Sequence, residues 1–133
     1  MENNSKQIEW DAKRFLIKNN YLIQTEAVKN YLLPQMNYRE NLQWLTYAEE
    51  ADILNVALFG FTAKAWREAN PELAKKNNVR DFASINELTV LSNLESHNAL
   101  MIKEGKGQEE RFKILREIAE YQLTVLNTAE QIK

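Results

Sequence analysis

Apolar residues recur at intervals of three and four along nearly the whole chain, which is the period of a helix face and not of a strand. In the first segment Ile8, Ala12, Phe15 and Leu16 share one face, with Trp10 and Arg14 elsewhere around the helix. Asn19-Asn20 is expected to end it, and Thr25 to cap a second helix that stops at Pro34.

The middle of the chain is predicted to begin with a short helix over residues 38–45. Thr46-Tyr47-Ala48-Glu49 then has the form of a capping box, in which the Thr hydroxyl and the Glu carboxylate each accept from a free backbone N–H at a helix start. The helix predicted from 47 to 59 is apolar on all sides, which is typical of a central helix. Gly60 is expected to end it in the left-handed conformation.

Further start signals follow in the second half. Thr62 is expected to cap a short helix over 63–69, and Asn70-Pro71 to open another over 71–76. Ser84-Ile85-Asn86-Glu87 is a second capping box and predicts a long helix to about residue 103. After Gly105 and Gly107, a last helix runs from 108 nearly to the end, with an apolar stripe wider than a coiled-coil seam.

These elements predict an all-α fold, a compact single-domain helical bundle of about six to seven helices that spans residues 1–133 and has two long C-terminal helices. The length of 133 residues suits one domain. Only three Gly and two Pro interrupt the chain, which favours long helices. The polar N-terminus and the lack of a long apolar run predict a cytoplasmic protein with no membrane contact.

Composition limits the possible chemistry. The absence of Cys excludes disulfides, zinc–thiolate sites, iron–sulfur clusters and thiol nucleophiles. The net charge is −2; residues 1–45 hold six basic and five acidic side chains, and the remainder eleven and fourteen. Neither half has the basic excess of a phosphate-binding surface. Nucleic-acid contact is therefore the alternative hypothesis, carried by a local basic face of Lys75, Lys76 and Arg80 beside Asn77-Asn78.

No catalytic, cofactor-binding or metal-binding residue is predicted. His97 is the only histidine, and its spacing from Glu95 does not put two ligands on one helix face. Glu49 and Asp52 lie three residues apart, but the capping box accounts for Glu49. Gly105-x-Gly107 lacks the preceding strand and the following Lys-Ser/Thr of a phosphate loop. The sequence thus favours a protein that is not an enzyme.

Trp66, Arg67, Arg80 and Asp81 are the candidate interaction or scaffold residues. Arg80-Asp81 precedes a capping box and is suited to fix the loop that enters the long helix. Trp66-Arg67 has the composition of an interface hot spot. Internal scaffolding is the favoured interpretation, because Trp66 lies among short helices that need an apolar anchor.

Four stretches of the chain together carry a family resemblance: EADILNVALFG at 50–60, FTAKAWREANP at 61–71, VRDFAS at 79–84 and ELTVLSNLESHNA at 87–99. In order and wording they resemble the C-terminal helical region of KilA-N-domain proteins of phages, prophages and bacterial chromosomes. The resemblance extends to KGQEER at 106–111 and, weakly, to Glu9-Trp10 and to residues 25–29.

The resemblance implies a role but no mechanism. In that family a KilA-N module, thought to bind DNA, precedes this helical region; nothing in these 133 residues resembles it. DNA binding is therefore expected through an upstream module absent here. We expect a non-catalytic helical assembly or regulatory domain that serves such a module, either by self-association as a dimer or by binding another protein. The wide apolar stripe of the last helix is the surface expected to do this.

Overall fold

The computed structural model describes residues 2–35 and 43–132, and within them it is all-α, without a strand. Its five α-helices are α1 (Glu2–Ala27), α2 (Trp44–Phe59), α3 (Ala63–Ala69), α4 (Ile85–Lys103) and α5 (Gln108–Ile132). A π-helical segment, Val28–Leu32, continues α1, and 3-10 turns occupy Leu33–Gln35, Leu73–Lys75 and Val79–Phe82. The described residues thus contain five α-helices where six to seven were predicted for the chain, because α1 continues through Asn19-Asn20 and the stretch 71–76 holds only the Leu73–Lys75 turn. Residues 44 and 45 of the predicted third helix belong to α2, and its residues 38–42 lie outside the described residues.

Helix α1 runs through the predicted break at Asn19-Asn20. The Asn20 amide donates to the backbone oxygen of Ser92 on α4 at 3.0 Å, so a tertiary contact replaces the local backbone bond that would favour a turn. Thr25 is not a cap: its hydroxyl donates to the Leu22 carbonyl oxygen at 3.0 Å inside the helix. Pro34 lies in the 3-10 turn that follows the π-helical segment, near the stop that the sequence predicted.

Helix α1 packs through a face other than the one that carries Ile8 and Phe15. Ile17, Gln24 and Val28 lie on the side that packs along α4, and Gln24 and Val28 are buried. Ile8 and Phe15, on the face that also carries Ala12 and Leu16, remain 68% and 63% exposed. Helix α1 is therefore apolar on two sides, and tertiary packing covers only one of them.

The first predicted capping box is wrong. Helix α2 begins at Trp44, and the preceding Gln43 is itself in the helical conformation without a side-chain cap. Thr46 thus lies inside the first turn, fully buried, and its Oγ1 has no hydrogen-bond partner among the described residues. At the other end the prediction is confirmed: Gly60 has φ 86° and donates its N–H to the Val56 carbonyl oxygen at 3.0 Å.

The second capping box is confirmed. The Glu87 N–H donates to Ser84 Oγ at 3.0 Å, and the Ser84 N–H donates to Glu87 Oε1 at 2.9 Å. Thr62 caps α3 by accepting from the Ala65 N–H at 3.1 Å. Asn70 ends α3 instead of opening a new helix, because its side-chain amide donates to the Trp66 carbonyl oxygen at 2.9 Å.

The apolar core lies between α2, α4 and α5. Its buried members are Leu54, Ala57, Leu58, Val90, Leu91, Leu94, Met101, Leu115 and Ala119. Most of the wide stripe of α5 is used here, since Phe112, Ile114, Ile118, Leu123 and Leu126 pack against this cluster. Tyr121 and Val125 are its large apolar side chains that point to solvent. Among the described helices, none combines the length and apolar character needed to cross a membrane.

Candidate functional site

A buried ion pair joins α2 to α5. The guanidinium of Arg111 donates through Nη1 and Nη2 to the two carboxylate oxygens of Glu50, with 2.9 Å between Nη2 and Oε2. The side chains are 0% and 1% exposed. Arg111 Nε donates to the Lys106 carbonyl oxygen at 3.0 Å, which fixes the loop before α5. The pair is thus bidentate and desolvated, the geometry in which arginine binds a carboxylate most specifically.

Amide side chains extend this ion pair to the other two long helices. Asn98 of α4 accepts from Arg111 Nη1 at 2.8 Å and donates to Glu50 Oε1 at 2.9 Å. It also donates to Gln24 Oε1 of α1 at 3.0 Å. We call Gln24, Glu50, Asn98 and Arg111 the polar core. It places one hydrogen-bonded side chain from each of α1, α2, α4 and α5 in the interior.

The contacts of the polar core suit a structural role. Four N–H bonds of Arg111 have acceptors within the network, and both carboxylate oxygens of Glu50 are occupied. A general base needs an oxygen free to take a proton from a substrate, and a buried carboxylate bonded to Arg111 on both sides does not supply one. The polar core therefore fixes how four helices meet.

The polar core is absent from the sequence-based predictions, although its residues are in phase with the apolar stripes. Glu50 lies four residues before Leu54, Asn98 four after Leu94, and Arg111 four before Leu115. A polar residue that occupies such a position faces the core. The phase indicates burial, whereas the choice of partner across 61 residues of sequence depends on the tertiary fold.

Glu95 is a second buried carboxylate on α4, and it has a different environment. It is 0% exposed, and neither carboxylate oxygen has a hydrogen-bond partner among the described residues. Desolvation raises the pKa of Glu95 to about 7, and the positive charge of Arg80 partly opposes this rise. A carboxyl group in this setting is close to an even mixture of its charged and neutral forms at neutral pH.

A cavity of about 280 Å³ lies between α1, the Val79–Phe82 turn and α4. Two of the predicted residues, Arg80 and Asp81, line it together with Arg14 and Lys18 of α1. Asp81 forms an unpredicted capping box with Asn78, whose N–H donates to Asp81 Oδ2 at 2.8 Å. Its other oxygen is 3.9 Å from Arg14 Nη2. Asp81 thus holds the loop before α4 through its bond to the Asn78 N–H, and Arg80 and Asp81 both border an open cavity.

The structure separates the other predicted residues from this cavity. The Trp66 ring lies 5.8 Å from that of Phe82, centroid to centroid, so it anchors α3 to the Val79–Phe82 turn. Arg67 is exposed on α3. Lys75 is exposed and bonded to Glu72 at 3.1 Å, and Lys76 is exposed beyond it. Neither lysine lines the cavity with Arg80.

A row of exposed apolar side chains follows the outer side of α1. We define the α1 outer face as Ile8, Phe15, Leu16, Leu22 and Ile23, which are all between 48% and 68% exposed. Ala12 and Asn19, also exposed, lie between them. Contiguous apolar patches of this kind on a folded protein commonly mark interaction sites.

His97 is an exposed residue of α4. Among the described residues, no group of three or more His, Cys, Asp or Glu side chains is placed to hold a metal ion. No known protein family, curated protein or solved structure matches this chain in the comparisons by sequence and by fold.

Proposed function

We propose that this protein is a helical assembly domain whose α1 outer face binds the same face of a second copy. The observation that carries the proposal is the row of exposed apolar side chains along α1, Ile8, Phe15 and Leu22 above all. A helix that exposes such a row to water gains free energy when a partner covers it. The wide stripe of α5, which the sequence favoured for this role, is mostly used within the core.

The spacing of this row suits a copy of itself. Ile8 and Leu22 are each seven residues from Phe15, so the row is symmetric about Phe15. A two-fold axis through Phe15 places Ile8 of one chain opposite Leu22 of the other and repeats the same contact on the other side. Closed two-fold dimers with such isologous contacts are the commonest assemblies of soluble proteins.

The area of the α1 outer face sets the affinity that we expect for the dimer. Its five large side chains expose on the order of 500 Å² of apolar surface per copy, and a standard interface buries about 800 Å² per partner. Leu100 of α4, which is exposed and lines one groove with Ile23, extends the surface. We therefore expect a reversible dimer with a dissociation constant in the micromolar range, roughly 8 kcal/mol of binding free energy.

The sequence resemblance supplies the biological setting of this proposal. A dimerising domain in a protein of the KilA-N type would pair two upstream DNA-binding modules, so that both half-sites of a symmetric DNA element are bound together. Under this proposal the domain has no catalytic role. The buried contacts of the polar core agree with that, since they hold the helices together and leave Glu50 without a free oxygen.

The test is the molar mass of the chain in solution as a function of concentration. Multi-angle light scattering at about 1 to 500 µM is expected to show a monomer–dimer equilibrium. Phe15→Glu should yield a monomer throughout with an unchanged helical circular dichroism spectrum, because a charge would be buried at the centre of the interface. Tyr121→Glu is the matched control, since Tyr121 is 71% exposed on α5. A wild-type monomer over the whole range, or equal loss of the dimer in both variants, would overturn the proposal.

A further inference from the structure

The cavity beside Arg80 has an excess of positive charge. Arg14, Lys18 and Arg80 contribute three cations to its lining, and Asp81 contributes one carboxylate. That carboxylate is already engaged by the Asn78 N–H on one oxygen and lies 3.9 Å from Arg14 on the other. At least two cations thus remain without a matching charge on the cavity lining.

Arg80 is the most unusual of these cations. It is partly buried, yet among the described residues its guanidinium takes part in no ion pair within 4.0 Å and no side-chain hydrogen bond. A partly desolvated guanidinium normally has a carboxylate, a phosphate or a carbonyl oxygen as its acceptor. An arginine that lines a cavity, and whose guanidinium has no acceptor from the described chain, is suited to an external acceptor.

Glu95, whose pKa the positive charge of Arg80 lowers, does not serve as the acceptor for the Arg80 guanidinium. Glu95 is fully buried and its oxygens are unbonded, so it is not a hydrogen-bond acceptor for Arg80. Even when Glu95 is ionised, three cations face two carboxylates around this part of the fold.

The rest of the lining is apolar. Ile17 and Tyr21 of α1 and Leu88 of α4 contribute the carbon surface, and Leu88 is buried. A cavity of about 280 Å³ has room for a molecule of small-metabolite size. A lining that combines cationic and apolar side chains matches a ligand with an anionic head and a small apolar body.

We propose that this cavity binds a small organic anion, a carboxylate or a phosphate ester with an aromatic or branched aliphatic body, and that Arg80 is its principal contact. Arg80 would bind two oxygens of the anion side by side, in the fork geometry that its guanidinium favours. Arg14 and Lys18, both exposed at the rim, would attract the anion and add weaker contacts. The apolar side chains would pack against its body.

The proposal is tested on the full chain with phenyl phosphate and benzoate, by calorimetry and by chemical shift changes of the backbone amides. We expect saturable binding of at least one of these anions, with the largest shifts at residues 14–21 and 78–88. Benzyl alcohol, which has the same body without the charge, should bind at least about tenfold more weakly, because the charge-assisted bonds are lost. Inorganic phosphate should also bind more weakly than phenyl phosphate if the apolar lining takes part.

Three variants test whether Arg80 is the principal contact. Arg80→Gln should weaken the better anion at least about tenfold, while Lys75→Gln, which removes an exposed cation outside the cavity, should leave its affinity unchanged. Arg14→Gln, with an intermediate loss, keeps the test valid if Arg80→Gln does not fold. Equal effects of the Arg80 and Lys75 variants, or binding of benzyl alcohol as strong as that of the anions, would contradict the proposal. So would salt-dependent binding of a DNA duplex at these residues with no binding of either anion.

Discussion

The guanidinium of Arg111 and the carboxylate of Glu50 meet in the interior of the bundle, on helices whose paired residues are 61 positions apart, and neither side chain reaches solvent. The cost of removing water from both charges is large, so the pair depends on good geometry and on further hydrogen bonds. Asn98 and the Lys106 carbonyl oxygen provide those bonds. Loss of either partner of this pair is therefore expected to destabilise the fold.

We predict that Arg111→Met lowers the free energy of unfolding by about 3–5 kcal/mol, because Glu50 is left as an uncompensated buried charge. Urea denaturation followed by circular dichroism measures this loss. The double variant Arg111→Met with Glu50→Gln should recover part of it, since the buried charge is gone. Lys75→Met, which breaks the exposed pair with Glu72, is the control and should change the free energy by less than about 1 kcal/mol. A small effect of Arg111→Met would show that the pair is not desolvated in solution.

Glu95 should make stability depend on pH. Its carboxyl titrates near 4.5 when exposed and at about 7 in the folded protein. Well below pH 4.5 this carboxyl is protonated in both the folded and the unfolded state, so it adds no pH dependence to the stability. As the pH rises from 4.5 to 7, the unfolded chain releases this proton before the folded one, so stability falls, in total by about 3 kcal/mol.

Denaturation at several pH values tests whether the free energy of unfolding falls as the pH rises. The difference in unfolding free energy between wild type and Glu95→Gln should change by about 3 kcal/mol between pH 4.5 and 8, in the direction that favours the variant at high pH. Glu120→Gln on the exposed surface of α5 is the matched control and should show no such change. A difference that is constant with pH would mean that Glu95 titrates normally in the folded state.

Substitutions of Thr46 and Ser84 are expected to change the free energy of unfolding in opposite directions, although each residue is the first of a capping-box sequence. Thr46→Val should raise the free energy of unfolding by about 1 kcal/mol, because it replaces a buried hydroxyl that lacks a described partner by a methyl group of similar size. Ser84→Ala should lower it by about 1 kcal/mol, because the cap of α4 is lost. Thermal melts of the two single variants measure these changes in stability. Destabilisation by Thr46→Val would show that the Thr46 hydroxyl forms a stabilising hydrogen bond.

The direction in which two α1 helices pair can be measured with single cysteines, because the chain has none of its own. In an antiparallel dimer about Phe15, a mixture of Ile8→Cys and Leu22→Cys chains should form mixed disulfides under mild oxidation, and neither chain alone should cross-link efficiently. Mass spectrometry distinguishes the products. Efficient disulfides within each single variant would indicate parallel pairing, and slow cross-linking in every combination would place the contact elsewhere.

Local signals in the sequence determined the helical class and several of the helix ends. Ser84 with Glu87, Thr62, and Gly60 act through atoms within four residues of one another, so their roles follow from short-range geometry. The same reasoning failed at Thr46, where α2 begins before the capping sequence and packing buries the hydroxyl. It failed at Asn20 because a bond to Ser92 on α4 holds that residue inside α1.

Tertiary structure alone decided which side of α1 is covered and which polar side chains meet. The helical period placed Ile8 and Phe15 on one face of α1, but a helix with apolar residues on two sides can pack through either, and the contact with α4 selects the other one. Likewise, the phase of Glu50 and Arg111 indicates burial, whereas their pairing requires α2 and α5 to lie side by side. Sequence by itself determined the local backbone, whose energies are short-range; the three-dimensional packing determined the polar core, the cavity beside Arg80 and the exposed face of α1, because each depends on residues distant in the chain.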